Sequence, residues 1–400
     1  MLLYANRELR ILLTSWTLGM TAFWYSITLI ALFSSMQYGV AAASFALAAK
    51  YLPGSVLAPV ESLITDRIPR HLVLVVAAVI GGVTAAALAF LNWQNNLNLG
   101  IFYGAVMVLG ACRVLVRPAT YGLIPTASKT EQELTASNLL RSVLSSTGMF
   151  VGPLLAGAVL AWVGATSAFV GLALLLLLQA AFAITLRVRA PLQSHRFTDV
   201  RRDTLAGFRS FADRRLRSLL VLNMVVEIST HGVVVAVLFI PVVTAAEHSN
   251  DYSYLISALG MGGLLGLSFL TSITRTTSLA CTGAIWYAWT FALGTIVLAL
   301  SEHLVPALLA MATLGLGSVM GNSTTSRQLQ KIVSSEVIGR TTGALMCARK
   351  LACTLGAGIG GVVTHHFGAQ SALLAIAPLL ALTTYFHWRY FVELDELAAE

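Results

Sequence analysis

The chain has 400 residues, 57% of them hydrophobic and only 10% charged, with a formal net charge of +8. Soluble domains carry about 25% charged residues, and so large an apolar surface cannot be hidden from water, so a water-soluble enzyme or binding domain is excluded. The positive balance does not point to nucleic acid either, because no nucleic-acid motif accompanies it and the basic residues collect in connections that would meet anionic lipid headgroups.

Apolar segments long enough to cross a ~30 Å hydrocarbon core are predicted at 11–33, 40–60, 71–91, 98–117, 137–163, 166–187, 217–243, 253–274, 278–300, 304–325, 338–363 and 367–388. The first is too long for the apolar region of a signal peptide and is expected to remain as a spanning helix. The connections at 34–40, 92–98, 163–167, 244–252, 301–304 and 364–367 contain neither Lys nor Arg. The alternate connections and the two ends carry Arg7, Arg10, Arg67, Arg70, Arg117, Lys129, a block from Arg187 to Arg217, Arg275, Arg327, Lys331, Arg340 and Arg389. By the positive-inside rule, both termini and the central connection are expected in the cytoplasm.

The fold class this implies is an all-α membrane protein of twelve transmembrane helices. It divides into an N-terminal six-helix bundle (1–187), a linker (188–216) and a C-terminal six-helix bundle (217–400). In the linker, Val200, Leu205, Phe208, Phe211 and Ala212 recur at near-helical spacing between Arg201, Arg202, Arg209 and Asp213. An amphipathic helix on the inner membrane surface fits that pattern, and a flexible basic linker fits it equally.

The halves repeat each other. Asn6-Arg7-Glu8-Leu9-Arg10 before the first segment parallels Asp213-Arg214-Arg215-Leu216-Arg217 before the seventh. Near the far ends, Gly152, Gly157, Gly164, Ala165, Ser167 and Ala168 match Gly356, Gly361, Gly368, Ala369, Ser371 and Ala372. Small residues along helices five and eleven let their neighbours approach closely.

Charges inside the spans point to chemistry. Glu227 is the only acid well inside a predicted span, with His231 at i+4 and Asn223 at i−4 on the same helical face. A charge at the bilayer centre costs at least about 2.5–3.5 kcal/mol, so such a residue faces a cavity, pairs or stays protonated. Two roles fit Glu227: a proton carrier assisted by His231, or a structural partner of a buried cation such as Lys50 or Arg349. Lys50 and Arg349 lie too deep to reach the surface easily, whereas Arg113 and Arg141 are expected to snorkel to the interface. Of Arg349 and Lys350, at most one is expected to face straight into a cavity, because adjacent helical residues point about 100° apart. An excess of buried cations over acids favours an anionic ligand. Thr14, Thr17, Thr21, Trp24 with Tyr25, and Thr28 stripe one face of the first helix. Trp93, Trp286 and Trp388 read as interfacial anchors.

No phosphate-binding Walker loop, Gly-x-Ser-x-Gly elbow or metal-binding His-Glu pair is present, so neither ATP-driven nor catalytic chemistry is expected. The four cysteines (Cys112, Cys281, Cys347, Cys353) lack metal or disulfide spacing, and no metal site is expected.

Three stretches carry a family resemblance: Pro59–Leu74 (PVESLITDRIPRHLVL), Val116–Asn138 with Gly152-Pro153 and Gly157, and Gln328-Leu329-Gln330 with Gly339-Arg340. With these the chain resembles the major facilitator superfamily over essentially its whole length, nearest to exporters of the enterobactin-exporter type, with drug-efflux and lysophospholipid transporters close by. The resemblance implies a secondary active transporter of the bacterial inner membrane that works by alternating access as a monomer. It would be driven by a proton gradient without a bound cofactor, and would move an amphipathic anionic small molecule such as a siderophore. A multidrug efflux pump, a lysophospholipid transporter and a non-transporting receptor or scaffold remain as alternatives. The expected partners are the substrate and membrane lipid. Helices one, four, seven and ten of the superfamily line a central cavity, which implies substrate contacts from Thr17, Thr21, Trp24, Tyr25, Asn223 and Asn322, with Ser318 and Thr325; Lys50 and Arg349 join them as deep cations, although helix eleven of the superfamily is usually peripheral to the middle of that cavity. The signature loop implies a cytoplasmic gate of Asp66, Arg67, Arg70, Arg117 and Arg340. Ser62 stands where that loop has a glycine, and residues 11–33 lack the acid or Arg that related exporters often place there.

Overall fold

The computed structural model describes residues 6–188, 205–239, 250–273, 281–333 and 338–399. Among them are twelve long helices: α1 (Arg7–Tyr38), α2 (Val40–Arg67), α3 (Arg70–Trp93), α4 (Leu99–Ala127), α5 (Glu131–Trp162), α6 (Ala165–Ile184), α7 (Arg214–Ala236), α8 (Asn250–Ile273), α9 (Cys281–Leu300), α10 (Leu304–Ile332), α11 (Ile338–Phe367) and α12 (Ala369–Ala399). A 3₁₀ turn, Val237–Phe239, extends α7, and no strand occurs among the described residues. Counting described residues alone, ten of the helices are long and apolar enough to cross a membrane, and α9 adds a shorter apolar stretch, Tyr287–Leu300. Val200, Arg201, Arg202 and the side chains of Asp66, Trp286, Thr325 and Trp388 lie outside the described residues.

Packing explains how the halves repeat. In the first half α1 packs on α5 and α6, α2 on α4, and α3 on α4 and α6; in the second α7 packs on α11 and α12, α8 on α10, and α9 on α10 and α12. Adding six to each label of the first set gives the second. The halves meet through α2 against α11 and α5 against α8, which exchange under the same operation. The repeated glycines have a local cause. Gly164 and Gly368 open α6 and α12 with φ of +95° and +81°, a conformation that glycine adopts at no steric cost.

The outward faces of α3, α6 and α9 carry exposed Val76, Val83, Leu174, Leu178, Leu293 and Leu300, as lipid contact requires. Contacts between spans rely on close backbone approach. Gly110 of α4 lies against the Lys50 carbonyl of α2, and Gly315 of α10 lies against the Leu259 carbonyl of α8.

The sequence ends the fourth span at Arg117, before Pro118, yet α4 continues through Pro118 and Pro125 to Ala127. Packing on α2 and α3 holds this continuation, the circumstance in which spanning helices tolerate proline. Thr130 caps α5 by accepting from the Glu133 amide at 3.1 Å, and Glu133 accepts from the Lys129 amide at 2.8 Å, a capping-box arrangement. Asn6 ties the start of α1 to this corner, donating to the Ala127 carbonyl at 2.9 Å and to Glu133 at 3.0 Å.

Of the linker, residues 188 and 205–216 are described. Residues 205–210 are helical. Gly207 lies against the Arg340 carbonyl, Thr341 donates to Ser210 at 3.0 Å, and Phe211 is buried with Leu216, Leu219, Leu329, Ala344 and Leu345. Of the apolar linker residues, Leu205, Phe208 and Ala212 stay exposed. This part of the linker therefore docks on α10 and α11, near the connection between them.

Candidate functional site

A cavity of about 760 Å³ lies between the halves, within the usual range of about 300–1,000 Å³ for small-molecule sites. Its described wall comes from α1 (Trp16, Met20, Phe23, Trp24), α2 (Lys50, Tyr51, Gly54, Glu61), α4 (Arg113, Arg117, Tyr121), α5 (Arg141, Ser142, Ser145), α10 (Val319, Asn322) and α11 (Thr342, Met346, Arg349, Lys350). Six cations thus face it with one carboxylate, Glu61.

Lys50 is only 3% exposed. The approach permitted by Gly110 places its backbone against α4, and its ammonium donates to the Ser26 hydroxyl and lies 5.2 Å from the Phe23 ring centre. Arg349 does not project freely. Its Nε donates to Glu227 Oε1 at 2.8 Å, one Nη makes a second bond to the same oxygen, and that Nη also donates to Asn322 Oδ1 at 2.6 Å. Of the structural partners weighed for Glu227, the protein uses Arg349 and not Lys50.

His231 Nδ1 lies 2.9 Å from the Glu227 carbonyl and 3.6 Å from its carboxylate. The His231 ring meets Tyr51 of α2 edge-on at 4.5 Å, linking this cluster to the other half. Cys353 Sγ is 3.5 Å from Glu227 Oε2. Glu227, His231 and Cys353 thus offer donor atoms all within 4.8 Å, the one grouping among the described residues that could hold a metal. Arg349 already occupies the carboxylate, and its charge opposes a second cation there.

Several expected cavity residues lie elsewhere. Thr17 donates to the Leu13 carbonyl within its own helix at 2.8 Å. Thr21 and Tyr25 are buried where Gly148 and Gly152 of α5 lie against α1, and Tyr25 donates to the Ala168 carbonyl of α6 at 2.9 Å. Asn223 is buried and donates to the Leu219 carbonyl at 2.8 Å. Of these four, Tyr25 bonds to another helix, whereas the cavity face of α1 runs through Trp16, Met20, Phe23 and Trp24.

Arg113 and Arg141, expected at the interface, line the cavity instead, and both Arg349 and Lys350 contribute to its wall. The wide angle between successive residues is accommodated because Arg349 turns to Glu227 while Lys350 runs along α2, its Cδ 3.2 Å from where a side chain at Gly54 would begin. Glu61 lies one residue beyond the predicted second span, 40–60, so its place on the cavity wall comes from α2 continuing to Arg67.

Of the expected gate residues, the side chain of Asp66 lies outside the described residues. Arg117 belongs to the cavity wall, donating to the Tyr121 hydroxyl at 3.4 Å. Arg70 donates to the Gly122 carbonyl at 3.0 Å, tying α3 to α4. Arg67 and Arg340 are exposed.

The Major Facilitator Superfamily profile matches residues 11–357. No curated protein matches the sequence significantly. Among solved structures, a single-substitution variant of the nucleoside transporter NupG superposes with a TM-score of 0.78 at 13% identity, covering 96% of this chain and 100% of that one. NupG itself gives 0.75 at 13% identity, covering 96% and 99%. A POT family transporter in complex with 5-aminolevulinic acid gives 0.76 at 10% identity, covering 97% of each chain. Identities this low speak for the fold alone, but the profile spans most of the chain, and the chain belongs to the Major Facilitator Superfamily as a multi-pass membrane transporter of small molecules.

Proposed function

We propose that the protein is a proton-coupled exporter of an amphipathic organic anion, such as a siderophore, acting by alternating access in a bacterial inner membrane with both termini in the cytoplasm. The observation that carries this reading is the Glu227–Arg349 pair, with Arg349 also held by Asn322 and Glu227 flanked by His231, at the edge of a cavity whose described wall has six cations and one acid. Protonating Glu227 removes the negative half of the pair and loosens α7 from α11. That change supplies a switch without any cofactor. The one-sided distribution of Lys and Arg supports the orientation, and the enterobactin-exporter-like motifs support export of an organic anion. Asp66, Arg67, Arg70 and Arg340 are proposed to close the inner mouth, with Asp66 favoured near a helix N-terminus.

The sign of coupling constrains the anion's position. An anion that took Arg349 from Glu227 would make the carboxylate easier to protonate, so proton and anion would travel together. Antiport requires the anion's main ligands to lie away from Arg349.

The test is proton and substrate flux in proteoliposomes under an imposed pH gradient, for wild type and Glu227→Gln. Export predicts proton entry against substrate exit in wild type and no substrate-driven proton movement in the variant. Substrate and protons moving the same way would overturn export. Proton movement that persists in Glu227→Gln would remove Glu227 from the coupling role.

A further inference from the structure

We infer that Arg113, Arg117 and Arg141, together with Trp16 and Tyr121, form an anion subsite in the N-terminal half that takes the oxyanion of a small organic acid with an aromatic body. The inference rests on the transport reading and deepens it, because it places the anion away from Arg349.

Three guanidiniums converge on two rings. Arg113 and Arg141 lie 5.4 Å and 5.6 Å from the Trp16 ring centre, and Arg141 and Arg117 lie 4.2 Å and 5.4 Å from that of Tyr121. The rings are themselves fixed. The Trp16 indole N–H donates to Ser145 at 2.9 Å, and the Tyr121 hydroxyl accepts from Arg141 at 2.7 Å.

Stacking on aromatic faces steadies a guanidinium but does not neutralise it. Neither Arg113 nor Arg141 forms an ion pair with a carboxylate among the described residues, and the three cations repel one another. Glu61, the acid on this wall, is electrostatically engaged with Lys350 and Arg117. Arg141 also buries an Nε–H that has no acceptor, and a buried donor without a partner costs stability that a bound acceptor would recover. An oxyanion meets each of these needs: it pairs with the guanidinium forks, relieves their repulsion and accepts from Arg141. Trp16, Phe23, Trp24 and Tyr121 line the cavity beside it, with Trp16 edge-on to Tyr121 and Phe23 edge-on to Trp24, and this aromatic wall favours an aromatic body. The carboxylate of an aromatic acid and the phosphate of a lysophospholipid present the same oxyanion chemistry, so the test must separate these sources.

Equilibrium binding to the full-length protein in zwitterionic nanodiscs provides that test, with 2-naphthoate, its neutral alcohol 2-naphthalenemethanol, cyclohexanecarboxylate and lysophosphatidylglycerol as probes. Wild type is expected to bind 2-naphthoate at least tenfold more tightly than either the alcohol or the saturated acid. Arg141→Gln and Arg113→Gln are each expected to weaken naphthoate binding tenfold or more while leaving the alcohol within twofold. Equal binding of acid and alcohol by wild type overturns the subsite without recourse to any variant, as does unchanged naphthoate affinity in both variants. Competition by lysophosphatidylglycerol at lower concentration than 2-naphthoate supports the oxyanion site and assigns its source to lipid. Glu227→Gln separates this inference from the coupling reading. Naphthoate affinity within twofold of wild type supports an N-terminal subsite, and a severalfold gain makes Arg349 the principal ligand and overturns it.

Discussion

Glu227 and Arg349 set the cost of errors at the centre of the second half. The pair is about 14% and 15% exposed at its side chains and is completed by Asn322. Removing one partner of a buried pair leaves an uncompensated charge and costs about 3–5 kcal/mol, whereas replacing both by apolar groups is often neutral. Arg349→Met is therefore expected to lower the thermal unfolding midpoint in detergent substantially, and the double variant Glu227→Gln with Arg349→Met to recover most of that loss. If the double variant unfolds as early as the single one, the two residues do not depend on each other. His231 depends on the same pair more weakly, since its Nδ1 faces the Glu227 carbonyl as well as the carboxylate.

Between helices, one missing side chain fixes where Lys50 stands. Gly110 of α4 lies against the Lys50 carbonyl, while Gly104 on the same helix has open space around it. Gly110→Val is expected to push α2 from α4, at about 1–3 kcal/mol for an overpacked contact, and to reduce anion binding with it. Gly104→Val should leave both unchanged. Equal effects of the two on unfolding and binding would show that close approach at Gly110 does not position the site.

These contacts also mark the limit of what the sequence discloses. Helix number, repeat and charge asymmetry follow from apolar length and from where Lys and Arg fall, properties of single segments, and the unusual Glu227 stands out for the same reason. The face each helix turns inward is a property of pairs. Thr21 and Tyr25 belong to a polar stripe on α1, yet they turn toward α5 and α6 because Gly148 and Gly152 admit the backbone there. Arg113 and Arg141 sit close enough to span ends to reach the surface, and only the packing of α4 and α5 beside α1 turns them inward over Trp16. Phe211 likewise reads as a membrane-facing residue until α10 and α11 are seen to bury it.

For the whole molecule, the two halves touch through α2 with α11 and α5 with α8, so any rocking of one half must open or close those seams. Along α2 and α11 the seam is not uniform. Toward the ends poor in Lys and Arg, Gly361 packs tightly on Ser44 and Gly358 faces Ala48; toward the basic ends, Tyr51, Glu61, Met346 and Lys350 border the cavity. The cavity thus lies toward the side rich in basic residues, and the opposite side is shut where small residues meet. Alternating access requires the shut seam to part. A Cβ built on Gly358 would lie 3.9 Å from that of Ala48, close to the mean of about 3.8 Å for disulfides. Oxidising the double variant Ala48→Cys with Gly358→Cys should therefore hold the seam closed and abolish substrate flux in proteoliposomes, with reduction restoring it and each single variant serving as control. Anion binding from the basic side should survive the cross-link, because Arg113 and Arg141 lie on that side of the seam. Undiminished flux in the oxidised double variant would mean that the halves do not move apart along α2 and α11, and alternating access about this seam would have to be abandoned.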